Sequence, residues 1–128
     1  MRQEILNWWE QAGEDFKNAK LNYIGKAYYV AVFLCQQAVE KGLKAVFMIQ
    51  KKESPGKTHS LVYLAKEIRV PKEFIDFLVS LTPEFVSTRY PDVSGEIPAR
   101  LYTDGLAKEI LKKTGGFMSW LGNQMRKH

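Results

Sequence analysis

Apolar residues recur at steps of three and four along the start of the chain, which is the period of a helix with one buried face. The pattern is carried by Ile5, Trp8, Trp9, Ala12, Phe16, Ala19 and Tyr23. It predicts an amphipathic helix over residues 2–23, which Gly25 ends. Residues 26–51 are apolar on most of the helix circumference over their first half, so we expect the central helix there.

Shorter segments follow this central helix. Turn-forming residues at 54–56 end it, and Thr58 is predicted to be the N-cap of a third helix. Pro71 suits the first turn of a fourth helix, and Pro83 either interrupts that helix or begins a short extra turn. Residues 88–101 show no helical period, and a connection of this length is typical of functional or mobile loops.

The last predicted helix starts near residue 102 and contains Gly115 and Gly116. Two interior glycines cost about 1.5–2 kcal/mol relative to alanine, so we expect a kink or a frayed end beyond Thr114. No segment alternates apolar and polar residues for long enough to predict a sheet. The expected fold class is therefore an all-α, up-and-down bundle of four to five helices, in a single domain spanning residues 1–128.

Composition narrows the class of protein. The 128 residues suffice for a core without disulfides or metals, and 45% hydrophobic with 26% charged residues is ordinary for a soluble globular chain. The lone Cys35 cannot form an internal disulfide, which favours a reducing, cytoplasmic location and a buried, inert thiol. The longest apolar run, residues 27–34, is far too short to span a membrane.

Metal and cofactor chemistry finds little support in the sequence. The metal-ligating residue types are one cysteine and the two separated histidines His59 and His128, without the spacing of a metal motif. No glycine-rich phosphate loop follows a strand. We therefore expect no metal and no cofactor, while the net charge of +5 is compatible with an anionic ligand.

A polar stripe interrupts the apolar central helix. Its members are Gln37, Glu40, Lys41 and Lys44, which fall three and four residues apart and so share one helix face. Three interpretations are open for this polar stripe. It is a solvated edge held by weak pairs between neighbouring turns, a surface that binds a ligand or a protein partner, or the seam of a homodimer.

Several motifs in order along the chain resemble one known family. FLCQQAVEKGLKAVF in the central helix, KTHSL after it and RYPD in the long loop together resemble the HEPN family, the higher-eukaryote and prokaryote nucleotide-binding domain. The resemblance implies a helical bundle that is commonly dimeric. It also implies action beside a separate minimal nucleotidyltransferase, often as a toxin–antitoxin pair.

Many members of that family are ribonucleases that use an arginine followed, after four to six residues, by a histidine. The positions that would hold the arginine are 52–54 before His59 and 121–123 before His128, and none of them is arginine. Cleavage of RNA by the usual route of the family is therefore not expected, and no catalytic residue is predicted. Whether the chain is an enzyme stays open.

The functional hypothesis gathers the polar residues near the helix ends into one site. Lys41, Lys44, Lys57 and Arg89 would converge on a phosphate if the long loop folds back, because cations bind phosphate oxygens. Tyr90 or Tyr63 would stack on a base such as that of ATP. The candidate nucleotide- or partner-binding residues are Gln37, Glu40, Lys41, Lys44, Lys57, His59, Arg89, Tyr90 and Asp92.

Structural interpretations stand beside this one. His59 fits a capping or core-edge residue better than a catalyst. Asp92 could bind backbone amides of the Tyr-Pro turn, and Arg89 could pair with Asp92 or Glu96. Asp15 falls on the edge of the buried face of the first helix, so it is expected to pair with a lysine of the central helix or with a loop amide.

Three functions follow from these residues. The first is a non-catalytic nucleotide-binding or docking module for a separate nucleotidyltransferase. The second is a metal-independent ribonuclease with a rearranged site at His59 and Arg89. The third is a structural module whose role is homodimerisation.

Overall fold

The protein folds into an all-α bundle, as predicted, and the computed structural model describes residues 2–91 and 95–128. No strand occurs within those ranges. The helices described within them are, in chain order, α1 (Gln3–Ile24), α2 (Tyr28–Lys51), α3 (Leu61–Glu67), α4 (Lys72–Leu81), α5 (Glu84–Ser87), α6 (Pro98–Leu101) and α7 (Asp104–Arg126).

The central helix is α2, which packs against α1 along one side and α7 along another and also touches α3, α5 and α6. Its position follows from its sequence, because apolar residues surround most of its first half and must be covered on several sides. On α1, the fully buried Ala12 and Ala19 present small side chains to the interior. The largest fully buried apolar side chains of α2 and α7 are Leu43, Met48, Val32, Val39, Val46, Phe117 and Leu121.

The third helix begins two residues later than predicted. Ser60, not Thr58, is the N-cap of α3, and its Oγ accepts a hydrogen bond from the amide of Tyr63 at 3.2 Å. The Thr58 hydroxyl instead accepts from the amide of Ser60 at 3.0 Å, in the turn before the helix. Both hydroxyls bind backbone amides, and spacing alone did not identify which one caps the helix.

The short helices settle two open points about the later part of the chain. After Pro83, a separate four-residue helix forms, which is the extra turn that the sequence allowed. The long connection, predicted to have no helical period, contains the helix Pro98–Leu101. Proline at its first position supplies a backbone angle suited to a helix.

The predicted frayed end of the last helix is wrong. Helix α7 continues through Gly115 and Gly116 to Arg126 without interruption. Phe117 and Leu121, beyond the glycines, are fully buried, and Phe117 contacts Phe74 of α4 with ring centroids 5.2 Å apart. Burying such side chains is worth about 1.5–3 kcal/mol each, which outweighs the cost of the glycines.

Candidate functional site

The centre of the candidate site is the carboxylate of Glu40 on α2, which is only 4% exposed. Its Oε1 accepts from Gln36 Nε2 at 3.1 Å and lies 2.9 Å from Nδ1 of His59. Its Oε2 accepts from Lys44 Nζ at 3.2 Å. Helical spacing of four residues places Gln36 and Lys44 on either side of Glu40, while His59 reaches it from the segment before α3.

Lys44 is as buried as its partner, with 5% exposure. Besides Glu40, its ammonium group lies 5.4 Å from the ring centroid of Trp8 on α1, which is within the range of a cation–π contact. An isolated buried ammonium group is very costly, so the carboxylate and the aromatic ring together account for its burial.

A second ion pair joins α1 to α2, as the sequence predicted. Lys41 Nζ donates to Asp15 Oδ2 at 2.5 Å, and Gln11 Nε2 donates to Asp15 Oδ1 at 2.9 Å. The Asp15 side chain is 10% exposed and that of Lys41 is 22% exposed. Lys41 therefore forms its ion pair with α1. Lys44 forms its ion pair within α2, with Glu40, and contacts α1 only through the ring of Trp8.

The interpretation of the polar stripe as a solvated edge is wrong. Glu40 and Lys44 are buried, and Gln37 and Lys41 are only partly exposed. Gln37 Nε2 donates to the Oε1 of Gln36, which is itself fully buried. Within the stripe, Lys41 bonds separately to α1, and the other residues form one hydrogen-bonded network that joins α2 to the segment before α3.

His59 connects this network to the surface. Its side chain is 51% exposed, while its Nδ1 is held by the buried Glu40. A carboxylate at Nδ1 favours the tautomer that carries the proton there, and it leaves Nε2 as the basic nitrogen of the neutral ring. This arrangement resembles the oriented histidine of many acid–base and anion-binding sites.

Arg89 and Tyr90 lie further along the same face of α2. The Arg89 guanidinium is 5.9 Å from the ring centroid of Phe33 and 5.3 Å from that of Tyr90. Both residues are exposed. Phe33 and Glu40 are seven residues apart, so the two positions of α2 that Arg89 and His59 contact share one helix face and lie about 10 Å apart along the axis.

The predicted convergence of four cations on one phosphate is not what the described residues form. Lys41 and Lys44 are paired with carboxylates, and Lys57 is exposed in the turn before α3. Arg89 packs at Phe33, which is eleven residues or about 16 Å along the helix from Lys44. The site instead has a buried half around Glu40 and an exposed half that includes His59, Arg89 and Tyr90.

The sequence allowed Arg89 to pair with either Asp92 or Glu96 in the long loop. Asp92 lies outside the described residues, so its predicted contacts stay predictions. Glu96 Oε1 accepts from Arg100 Nη1 at 3.5 Å and also caps the amide of Ile97 at 2.9 Å.

Three residues that contact Asp15, Glu40 or Lys44 were not among the predicted site residues. Gln36 could have been found from the sequence, because it lies four residues before Glu40 on the same face. Gln11 stands in the same relation to Asp15, but it looks like an ordinary exposed residue of α1. Trp8 carried no signal beyond its place in the apolar pattern, which does not say whether its ring meets another ring or a cation.

Metal binding gains no support from the geometry. Across residues 2–91 and 95–128, no three histidine, cysteine, aspartate or glutamate side chains gather closely enough to hold a metal ion.

In the same ranges, no helix has both the length and the apolar character needed to cross a membrane.

The fold and the site together define a class of protein. It has a core of three long helices extended by short helices, and a buried ionic network that includes a half-exposed histidine. Residues 5–124 match the family described as HEPN domain. The chain therefore belongs to the HEPN family.

Solved structures agree with this assignment. The chain is similar to TT1696 from Thermus thermophilus, with a TM-score of 0.86 and 26% identity over 96% of this chain and 99% of that one. It is also similar to ST0689, an archaeal HEPN homologue, with a TM-score of 0.80 and 28% identity over 97% of this chain and 98% of that one. The sequence matches no curated protein.

Proposed function

We propose that this HEPN protein is a nucleotide-binding module that acts together with a separate nucleotidyltransferase. The observation that carries the proposal is the placement of Arg89, Tyr90 and His59 along one face of α2. A guanidinium group beside an exposed tyrosine ring offers bidentate binding of a phosphate and a stacking surface for a base. His59, whose partner Glu40 lies about 10 Å along α2 from Phe33, would contact the other end of the nucleotide.

In this proposal the buried half of the site has a supporting role. Lys44 and Glu40 are engaged with each other, so they hold His59 in place and do not contact phosphate. Lys41 is paired with Asp15 and ties α1 to the same helix. The ligand would contact the exposed residues, and the buried residues would keep the imidazole in one orientation.

Calorimetric titration of the purified protein with ATP tests the proposal. We expect binding that Arg89→Gln weakens by at least about tenfold, since one lost charge-assisted contact is worth about 1.5–3 kcal/mol. Arg126→Gln is the matched control. Arg126 is an exposed arginine at the end of α7, and its side chain donates a hydrogen bond to Asn123. Absence of heat at millimolar ATP, or equal weakening by both variants, would refute nucleotide binding.

The partner is tested separately. We expect the product of an adjacent nucleotidyltransferase reading frame to co-purify with the wild-type protein. If the two form a toxin–antitoxin pair, expression of one alone slows growth, and co-expression restores it. A nucleotidyltransferase that neither binds nor changes growth would remove the partner from the proposal without affecting the nucleotide titration.

The His59–Glu40 pair favours a second candidate, a metal-independent ribonuclease. An imidazole held through Nδ1 can take the proton of a ribose 2′-hydroxyl at Nε2. The 2′-oxygen then attacks the adjacent phosphorus, the bond to the 5′-oxygen breaks, and water gives that oxygen its proton, which leaves a 2′,3′-cyclic phosphate. Arg89 would stabilise the charge on the phosphate oxygens. Cleavage of RNA in EDTA should disappear in both His59→Ala and Arg89→Ala, and cleavage that survives these changes would exclude this site.

A further inference from the structure

A groove between α1 and α7 lies apart from the site of α2. Its volume is about 570 Å³, and none of its lining residues belongs to the polar stripe. The lining consists of an aromatic and aliphatic floor, a pair of glycines and three lysines at the rim. These residues are Phe16, Tyr23, Leu111, Gly115, Gly116, Lys20, Lys108 and Lys112.

The two glycines shape this groove, and the fold explains only one of them. A Cβ at Gly115 would come within 3.3 Å of Cζ of Phe16, so glycine there lets the ring approach α7 closely. A Cβ at Gly116 would meet nothing within 4 Å. Glycine at 116 therefore costs the helix about 1 kcal/mol relative to alanine, and no contact among the described residues accounts for it.

The rim of the groove is positively charged. Lys108 and Lys112 are exposed and one turn apart on α7, and Lys20 of α1 lies across from them. Of the acidic groups nearby, Glu109 pairs with Lys113 at 3.0 Å, and Asp104, which accepts a hydrogen bond from the Tyr23 hydroxyl, leaves one negative charge beside the three lysines. Three cations thus flank an apolar floor.

The floor favours a peptide over a nucleic acid. Bases bind to open aromatic faces, but Phe16 is only partly exposed, because the Lys20 ammonium lies 4.5 Å from its ring centroid and Gly115 of α7 lies against its Cζ. The groove also continues into exposed apolar surface, because Ile24, four residues after Lys20 on α1, is 74% exposed. Apolar side chains, flanked by carboxylates, are the complement of such a groove.

We propose that this groove docks an acidic, amphipathic helical segment of a protein partner. Its apolar side chains would lie over Phe16 and Leu111, with the opening at Gly116 admitting the closest approach. Its aspartate and glutamate side chains would meet Lys20, Lys108 and Lys112. The proposal does not depend on nucleotide binding, because the two surfaces share no residue.

The test uses a fluorescein-labelled peptide of about five helical turns, with leucine at helical spacing and glutamate on the flanks of the apolar stripe. A second peptide has the same composition in scrambled order. Fluorescence anisotropy with the full chain should show micromolar binding of the patterned peptide and at least about tenfold weaker binding of the scrambled one.

Matched variants separate the groove from general electrostatics. The double variant Lys108→Glu/Lys112→Glu should weaken binding of the patterned peptide by at least about tenfold, because two attractive contacts become repulsive. Lys66→Glu/Lys72→Glu makes the same charge change at exposed positions of α3 and at the start of α4, and should leave binding unchanged. Gly116→Leu should also weaken binding without lowering the melting temperature, since the added side chain enters open space and leucine favours the helix more than glycine does.

Several outcomes would overturn the proposal. Equal binding of the two peptides, or equal loss in both charge-reversed variants, would mean that the lysines attract any polyanion. Tighter binding of single-stranded RNA or of phosphatidylserine vesicles, lost in Lys108→Glu/Lys112→Glu, would assign the groove to those ligands instead. If the patterned peptide does not bind at a concentration of about 1 mM, the groove is not a docking site for this class of peptide.

Discussion

Oε1 of Glu40 lies 2.9 Å from Nδ1 of His59, a residue nineteen positions later in the chain. The contact joins a nearly buried carboxylate on the central helix to a half-exposed imidazole at the start of the next one. Because Lys44 shares the same carboxylate, any change at Glu40 affects both the stability of the core and the position of the surface histidine.

The first prediction concerns the buried ion pair. Glu40→Ala should lower the free energy of unfolding by about 3–5 kcal/mol, because it leaves the buried Lys44 ammonium without a carboxylate. Lys44→Met in the same background should recover part of this loss, since the uncompensated charge is then removed. Chemical denaturation of the two single variants and the double variant measures the coupling, and strictly additive losses would contradict the prediction.

The second prediction concerns the pair between α1 and α2. Asp15→Asn should cost about 1–2 kcal/mol, because Lys41 loses its ionic partner but remains exposed enough to be hydrated in part. Glu14→Gln is the control, since Glu14 is an exposed carboxylate beside Asp15 and its change should stay within about 0.5 kcal/mol. If Asp15→Asn is as stable as the wild type, the pair does not contribute to helix packing.

The third prediction uses two glycines that lie inside long helices. A Cβ at Gly42 would lie 2.8 Å from Cδ1 of the buried Leu121 and 3.4 Å from Trp9, whereas one at Gly13 would meet nothing within 4 Å. Gly42→Ala should therefore destabilise by about 1–3 kcal/mol through overpacking. Gly13→Ala should stabilise by up to about 1 kcal/mol through helix propensity. Thermal melts of both variants measure these changes, and a shift of the melting temperature with the same sign in both would contradict the prediction.

The fourth prediction concerns the chemical reactivity of Cys35. Burial raises the pKa of this thiol from 9.0 to about 11, although a hydrogen bond with Thr114 partly opposes the shift. At pH 8 the thiolate fraction is then about 100-fold lower than that of a thiol with the ordinary pKa. Ellman's reagent should react slowly with the native protein and at once in denaturant. Rapid reaction of the folded protein would show that the thiol is accessible.

The fifth prediction concerns pH and Glu84. Burial raises the pKa of this carboxyl above its ordinary 4.5, while a hydrogen bond from the Tyr102 hydroxyl lowers it. The folded state therefore favours the protonated form, and the stability that it contributes below pH 4.5 is lost as the pH rises through the raised pKa. Glu84→Gln, which stays neutral, should gain in melting temperature relative to the wild type between pH 4 and pH 7.

The control for this pH dependence is Glu109→Gln. Glu109 is exposed and pairs with Lys113 at the surface of α7, so its removal should give no such gain on raising the pH. A difference between Glu84→Gln and the wild type that is constant over this pH range would contradict the assignment.

The long helices could be predicted from the sequence because local information specifies them. The spacing of apolar residues located α1 and α2 to within two residues at each end, and the placement of Asp15 at the edge of a buried face predicted its lysine partner. Family membership was likewise visible in QQAVEKGLKA, KTHSL and RYPD. In each case the residues concerned are close in sequence or repeat at the helical period.

Only the tertiary structure decided what each helix face meets. Periodicity placed Glu40 and Lys44 on one stripe, but the approach of Trp8 and His59 buried that stripe, and no local pattern encodes such contacts. The continuation of α7 through Gly115 was decided in the same way, because the helix propensity of a glycine is a local cost. The burial of Phe117 against α4, which outweighs it, is a gain that exists only once the chain has packed.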